Sequence, residues 1–171
     1  MKKHIIHIIL ASLIISSCSK TMPAGFWNEF EKELIRNSLN DQGPWGGQSA
    51  IHWTSEKENK FEISQIIDFA ASNGWTIIDT LEYSIKDIEK WNDGKQLIFQ
   101  ACIEGFEPEG KDEIILFEDF PRWITNDFTV YRFKTDWIKI DPGTDNSSVE
   151  NGFLLINQNR TEMTIYHLWG E

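Results

Sequence analysis

Short runs of β-branched and aromatic residues, separated by turn signals, dominate the second half of this 171-residue chain. The clearest run is the last one, where Met163, Ile165 and His167 alternate with Thr164 and Tyr166. An alternation with a period of two residues is typical of a β-strand. Comparable runs predict strands over residues 96–103, 113–117, 128–133, 137–140, 152–156 and 162–169. Consecutive strands joined by short turns favour antiparallel pairing.

The first half of the chain shows helical spacing as well as strand signals. An apolar stripe predicts a helix over residues 25–38. A second helix is predicted over residues 65–73, with Ser64 as its N-cap and Gly74 at its end. The remaining predicted elements are a helix over residues 84–91 and strands over residues 49–54 and 75–81.

This order of elements predicts an α+β fold. Helices that come early and strands that come late favour N-terminal helices packed on one face of a C-terminal antiparallel meander. Hydrophobic residues make up 40% of the chain, which is enough for one ordinary core. With no internal repeat or linker in view, we expect residues 25–171 to form a single domain.

The N-terminus has the features of an export signal. Lys2 and Lys3 precede an apolar stretch over residues 5–15, which is too short for a stable membrane-spanning anchor. The tetrad Ile15-Ser16-Ser17-Cys18 then resembles the lipobox of bacterial lipoproteins. The resemblance covers residues 1–18. It implies cleavage before Cys18, a diacylglycerol on the sulfur of Cys18 and an acyl chain, such as palmitate, on its amine.

A lipidated Cys18 predicts the location of the protein. Two or more acyl chains anchor a protein stably to a membrane, whereas one chain does not. Residues 1–17 are then the signal peptide, and residues 18–24 are the lipidated cysteine with a short tether. The non-acidic Ser19 favours the outer over the inner membrane, as in enteric lipoproteins. We expect the domain to lie in the cell envelope, facing the periplasm or the exterior.

The charge of the chain is strongly acidic. It carries 16 Lys and Arg against 27 Asp and Glu, and removing Lys2 and Lys3 leaves 14 − 27 = −13. Such a chain offers no excess of cations for a nucleic-acid backbone. Acidic residues are dense between residues 104 and 119, and they include Glu107, Glu109 and Asp112. This segment is either a solvated loop or a surface that attracts a basic protein partner.

Tryptophan is unusually frequent, with eight residues in the chain. Trp27, Trp75 and Trp137 occupy periodic positions, where packing in the core is the expected role. Trp45 lies between Pro44 and Gly46 in a loop, so it is a candidate contact residue for a protein partner or a glycan. Trp53 and Trp123 are further candidates for the same role.

Catalytic and metal-binding patterns are sparse. The mature chain retains only His52 and His167, and neither belongs to a metal-ligand spacing, so we expect no metal and no cofactor. Cys102 has no disulfide partner once Cys18 is lipidated, and its surroundings resemble the interior of a strand. A carboxylate pair of the glycosidase type stays open among so many acidic residues, but no pair is singled out.

These observations favour a binding function over a catalytic one. We expect a membrane-anchored envelope lipoprotein that recognises a partner without turnover, such as an inhibitor or immunity-type protein for a basic partner. The alternative is a glycan-binding protein, or a hydrolase that uses carboxylates on envelope sugars. Salt distinguishes the first two, because screening weakens recognition between charged proteins while stacking on sugars barely changes.

Overall fold

Antiparallel strands, rather than helices, form the framework of the protein. The computed structural model describes residues 23–56, 59–84, 124, 126–140, 145 and 147–170. The described helical elements are the 3-10 turns Gly25–Glu29 and Lys32–Leu34 and one α-helix, α1 (Ile63–Ser72). The strands are β1 (Ile35–Gln42), β2 (Gly46–Thr54), β3 (Thr76–Tyr83), β4 (Phe128–Lys134), β5 (Lys139–Ile140), β6 (Ser147–Ser148), β7 (Gly152–Asn157) and β8 (Glu162–Gly170).

One sheet contains all of these strands, and its main path runs β1-β2-β8-β7-β4-β3. Two hairpins, β1–β2 and β7–β8, meet through the antiparallel pairing of β2 with β8. That pairing is continuous from Gly46 opposite Gly170 to Thr54 opposite Glu162. The short strand β5 pairs with β6 and contacts β8 in parallel at Gly170.

Both faces of the sheet are buried at its centre. Neighbouring residues of one strand point to opposite faces, and here they belong to different apolar clusters. Leu154 of β7 packs in the cluster of the first face, whereas Phe153 and Leu155 pack in that of the second face. All six residues of β7 are buried in consequence. The second face of the sheet is therefore buried as well, which corrects the prediction of a sheet covered on one face.

Aromatic side chains fill the first face between the sheet and α1. Trp27 lies at the centre, with its ring 6.3 Å from that of Trp53 and 5.7 Å from that of Trp75. Phe69 of α1 contributes a third ring, 5.3 Å from Trp27. Tilted and edge-on contacts of this kind stabilise aromatic clusters beyond the area that they bury. Trp27, Trp53 and Trp75 therefore stabilise the hydrophobic core.

The predicted α+β fold is wrong. Half of the described residues are in strands and only 18% are helical, within a single α-helix and the short 3-10 turns. The sheet is also not a meander, because β2 pairs with the distant β8 instead of with its successor in the chain. The predicted helix over residues 84–91 and the predicted strands over residues 96–103 and 113–117 lie outside the described residues.

The predicted helix over residues 25–38 is replaced by the two 3-10 turns and the start of β1. Glu31 adopts a left-handed backbone with φ of 40°, which interrupts any continuous helix. Ile35 then pairs with Trp53 of β2. The aromatic side chains of this segment still reach the core, so tertiary packing and strand pairing outweigh the helical spacing.

The helix predicted over residues 65–73 is present as α1. Gly74 follows it with φ of +89°, the left-handed conformation that glycine adopts most readily after a helix. Ser64 is not the N-cap, because the helix begins at Ile63, two residues before the predicted start, and Glu62 occupies the N-cap position without a side-chain cap.

We predict that the aromatic core sets most of the stability. Trp27→Ala removes a fully buried indole, and large-to-small substitutions of this kind cost about 3–5 kcal/mol of unfolding free energy. Trp45→Ala is the matched control, because Trp45 is 78% exposed and its loss costs less than about 0.5 kcal/mol. Urea unfolding of both variants checks this, and equal losses for the two would contradict the assignment of the core.

Candidate functional site

Large apolar side chains are exposed at one end of the sheet. This end is where β2, β3 and β7 begin and where β1, β4 and β8 end, as the registers show. We call it the apolar end. The exposed large apolar residues of the described structure are Trp45, Ile77, Ile78, Trp137 and Ile138. Each lies at this end, in the β1–β2 turn, at the start of β3 or in the segment between β4 and β5.

The β1–β2 hairpin presents Trp45 at its tip. The N–H of Gly43 donates to the carbonyl of Gly46 at 2.8 Å, so Pro44 and Trp45 form the exposed connection. With 78% of its surface exposed, Trp45 is the most exposed large apolar residue of the described structure. A tight hairpin closure fixes the backbone that carries this side chain.

Two glycines let three segments meet beside Trp45. A Cβ on Gly170 would overlap the carbonyl oxygen of Trp45, and Gly170 has φ of +80°. A Cβ on Gly47 would lie 2.7 Å from the ring of Trp169. On the other side of β8, the N–H of Gly170 donates to the carbonyl of Ile138 at 2.7 Å. The end of β8 therefore joins the hairpin tip to the segment that carries Ile138.

Buried side chains hold the backbone of Trp137. Its N–H donates to the hydroxyl of Thr135 at 3.1 Å, and the Nδ2 of Asn151 donates to its carbonyl at 2.8 Å. The hydroxyl of Thr135 in turn donates to the Oδ1 of Asn151 at 2.6 Å. Thr135 and Asn151 are both buried, while the side chain of Trp137 is 42% exposed. We call this arrangement the Thr135–Asn151 clamp.

His167 lies under the clamp between two indoles. Its ring stacks on Trp169 at 5.2 Å and contacts Trp75 at the same distance. Its Nε2 is 3.4 Å from the hydroxyl oxygen of Thr135. Because the single proton of that hydroxyl is directed to Asn151, the hydroxyl accepts from His167, which places the ring proton on Nε2. Nδ1 is then unprotonated, and it has no hydrogen-bond partner among the described residues.

Burial keeps both histidines of the described chain neutral. It lowers the pKa of His167 to about 3, and it lowers that of His52 as well. The Nδ1 of His52 lies 2.8 Å from the hydroxyl of Thr164 on the second face of the sheet. These imidazoles are packed into the sheet and serve its structure.

The candidate contact residues have different positions. Trp45 is exposed, as a contact residue must be. Trp53 is fully buried, and its Nε1 donates to the carbonyl of Phe30 at 2.8 Å, so the structure places it in the core. Trp123 lies outside the described residues, and so do Cys18, Cys102 and the acidic residues Glu107, Glu109 and Asp112.

Sequence reasoning missed Trp137 and Ile138 as exposed residues. Both lie within the strand predicted over residues 137–140, whereas the strand begins only at Lys139. A usable signal was the Thr-Asp pair before Trp137, because such residues mark turns at strand ends.

Metal-ligand groups, membrane-spanning helices and similar proteins are three further possible indications of function. No group of three or more His, Cys, Asp or Glu residues in the described part of the chain could hold a metal ion. No described helix is long and apolar enough to cross a membrane. Comparison with protein-family models, with curated proteins and with solved structures gives no match.

We predict that the clamp contributes measurably to stability. Asn151→Ala removes the amide that donates to the Trp137 carbonyl and accepts from the buried Thr135 hydroxyl. Only the longer contact of 3.3 Å between that hydroxyl and that carbonyl then remains, and we expect a cost of about 1–3 kcal/mol. Asn159→Ala is the control, because Asn159 is exposed in the β7–β8 turn. Urea unfolding measures both, and an Asn151→Ala protein as stable as the control would contradict the clamp.

We also predict a loss of stability in acid that depends on His167. Its pKa of about 3 in the folded protein lies below its ordinary value of 6.5, so the unfolded chain binds more protons between these values. Stability then falls by about 1.4 kcal/mol per pH unit as the pH decreases through this window. His167→Phe keeps the stacked ring and should reduce the slope, as unfolding midpoints from pH 7 to 4 will show. An unchanged slope would contradict a buried neutral imidazole.

Proposed function

We propose that this chain is a lipid-anchored envelope protein that binds another protein instead of catalysing a reaction. The exposure of Trp45 is the observation that carries the proposal. Its indole lies at the tip of a hairpin with a fixed backbone, and keeping such a large apolar side chain in water is unfavourable. An indole buries about 200 Å² on contact. At about 25 cal/mol per Å², covering an indole that is 78% exposed releases about 4 kcal/mol before entropic costs. A single residue of this kind can dominate an interface.

The charge of the chain supports a basic partner. A formal charge of −13 after loss of the signal peptide attracts basic proteins over distances that contacts alone do not reach. The acidic residues Glu107, Glu109 and Asp112 belong to this proposal through their sequence alone. The combination of an anchor, an acidic charge and an exposed indole supports an inhibitor or immunity-type role within this proposal.

The anchor supports the envelope location. The lipobox-like tetrad Ile15-Ser16-Ser17-Cys18 ends only five residues before Pro23, where the described structure begins. A tether of that length extends less than about 20 Å, so it would hold the domain close to the membrane surface, on the periplasmic or the outer side. A Cys18→Ser protein that stayed in the membrane fraction would contradict the anchor.

Glycan binding is the second candidate, and the same residue favours it. An exposed indole offers a flat apolar face on which a sugar ring can stack. The glycan alternative requires Trp45 but no charge, so its binding should barely respond to salt. The hydrolase version additionally requires turnover of a cell-wall or polysaccharide substrate.

Affinity capture at two salt concentrations tests the proposal. The protein without its lipid, residues 19–171, is immobilised and exposed to envelope and secreted fractions of the producing cells. At about 0.1 M salt we expect a stoichiometric protein partner, and at about 1 M, where screening reduces the range of charge interactions to about 3 Å, we expect its loss. Trp45→Ala should weaken capture about tenfold, and Asn159→Ala should leave it unchanged.

The other outcomes distinguish the candidates. Capture of cell-wall glycan, insensitive to salt and lost with Trp45→Ala, would replace the protein partner by a sugar. Turnover of a polysaccharide would replace binding by catalysis. Retention of neither protein nor glycan would contradict a binding function.

A further inference from the structure

We infer that the whole apolar end is a preorganised docking surface for a folded protein, with Trp45 and the Trp137–Ile138 segment as its two anchors. The inference rests on the proposed binding function and specifies its surface and its kind of partner. The apolar end consists of Trp45, Ile77, Ile78, Trp137 and Ile138, as defined above.

The extent of the surface is that of a protein footprint. The Trp45 hairpin adjoins β2, and the path β2-β8-β7-β4-β3 separates it from Ile77 by four strand spacings. At about 4.8 Å per spacing this is about 19 Å. A protein–protein interface of standard size covers about 800 Å² per partner, a patch about 30 Å across. The exposed apolar residues therefore fit within one such interface.

The chemistry of these residues favours a protein over a glycan. Three of the five are isoleucines, and an aliphatic side chain offers neither an aromatic face to a sugar ring nor a hydrogen bond to its hydroxyls. The exposure of Ile138 is 54%, and that of Ile78 is 39%. Ile78 is the extra residue at an irregularity of the β3–β4 pairing, between Ile77 opposite Phe133 and Asp79 opposite Arg132. Aliphatic groups beside indoles match an apolar protein surface.

The charged residues around the apolar end indicate which charge the partner carries. Among the described residues, Asp41, Asp136 and Glu150 are exposed close to the apolar end, and so is Lys134, while the half-buried Lys139 directly follows Ile138. Together with the acidic balance of the chain, this rim favours a partner that surrounds an apolar centre with Lys and Arg. A membrane surface is disfavoured, because proteins that lie on anionic lipids present basic residues beside their apolar ones.

The Thr135–Asn151 clamp makes the second anchor rigid before binding. It satisfies both backbone polar groups of Trp137 with buried side chains, and the next residue, Ile138, accepts from Gly170 of β8. A segment that is ordered in advance loses less conformational entropy when the partner arrives. Thr135 and Asn151 are therefore positioning residues for the docking surface.

Site-specific photo-cross-linking in the producing cells tests this inference on the full-length lipoprotein. p-Benzoylphenylalanine replaces Trp45 in one variant, Ile138 in a second and Asn159 in a third, the last being exposed at the opposite end of the sheet. We expect one protein adduct of the same mass from positions 45 and 138 and none from position 159. In the variant labelled at position 45, Ile138→Ser should lower the adduct about tenfold, whereas Asn159→Ala should not change it.

Each other result overturns a defined part of the account. An adduct from position 159 alone would move the surface elsewhere and leave the binding function standing. Adducts with lipid or glycan at positions 45 and 138 would replace the protein partner by that ligand. No adduct at any position would remove both the docking surface and the proposed binding function. Circular dichroism of each purified variant confirms that it is folded.

Discussion

The pairing of β2 with β8 is the constraint on which the rest of the structure depends. It joins an N-terminal hairpin to a C-terminal hairpin over nine residues of each strand, in a register without a bulge. Because the register starts at Gly46 opposite Gly170, the tip that carries Trp45 lies beside the end of β8. The same strand β8 carries His167 under the Thr135–Asn151 clamp. A shift of one residue would turn every side chain of β8 to the other face.

The tryptophans of the described structure lie both in the core and on the proposed docking surface. Trp27, Trp53 and Trp75 are buried against one face of the sheet, where they contribute apolar area and edge-on ring contacts. Trp45 and Trp137 instead meet water at one end of the sheet. An exposed indole contributes little to the folded state, so its place on a fixed backbone is better explained by a contact with another molecule.

Local signals allowed several elements to be predicted from the sequence. Gly74 marked the end of α1, the alternation before Trp169 marked β8, and Pro44 with Gly46 placed Trp45 in a loop. Each of these predictions depends on residues that are close together in the chain.

The predictions that were wrong depend on residues that are distant in the chain. The apolar residues of segment 25–38 have the spacing of a helix, but they can also pack in an aromatic core without forming one. The pairing of β1 with β2 determines which of the two structures forms. Trp53 was a contact candidate because nothing local shows that Phe30 accepts its N–H. Likewise, the exposure of Trp137 follows from side chains 2 and 14 positions away.

Hydroxyl-radical footprinting tests the central claim most directly, because it compares the unmodified protein in the producing cells with the purified protein. We expect oxidation of Trp45, Trp137 and Ile138 to fall about tenfold in the cells, while the half-buried Tyr83, a reactive ring at the opposite end of the sheet, is oxidised equally in both preparations. Equal oxidation of the apolar end in the two preparations would contradict the claim that this end is covered by a partner.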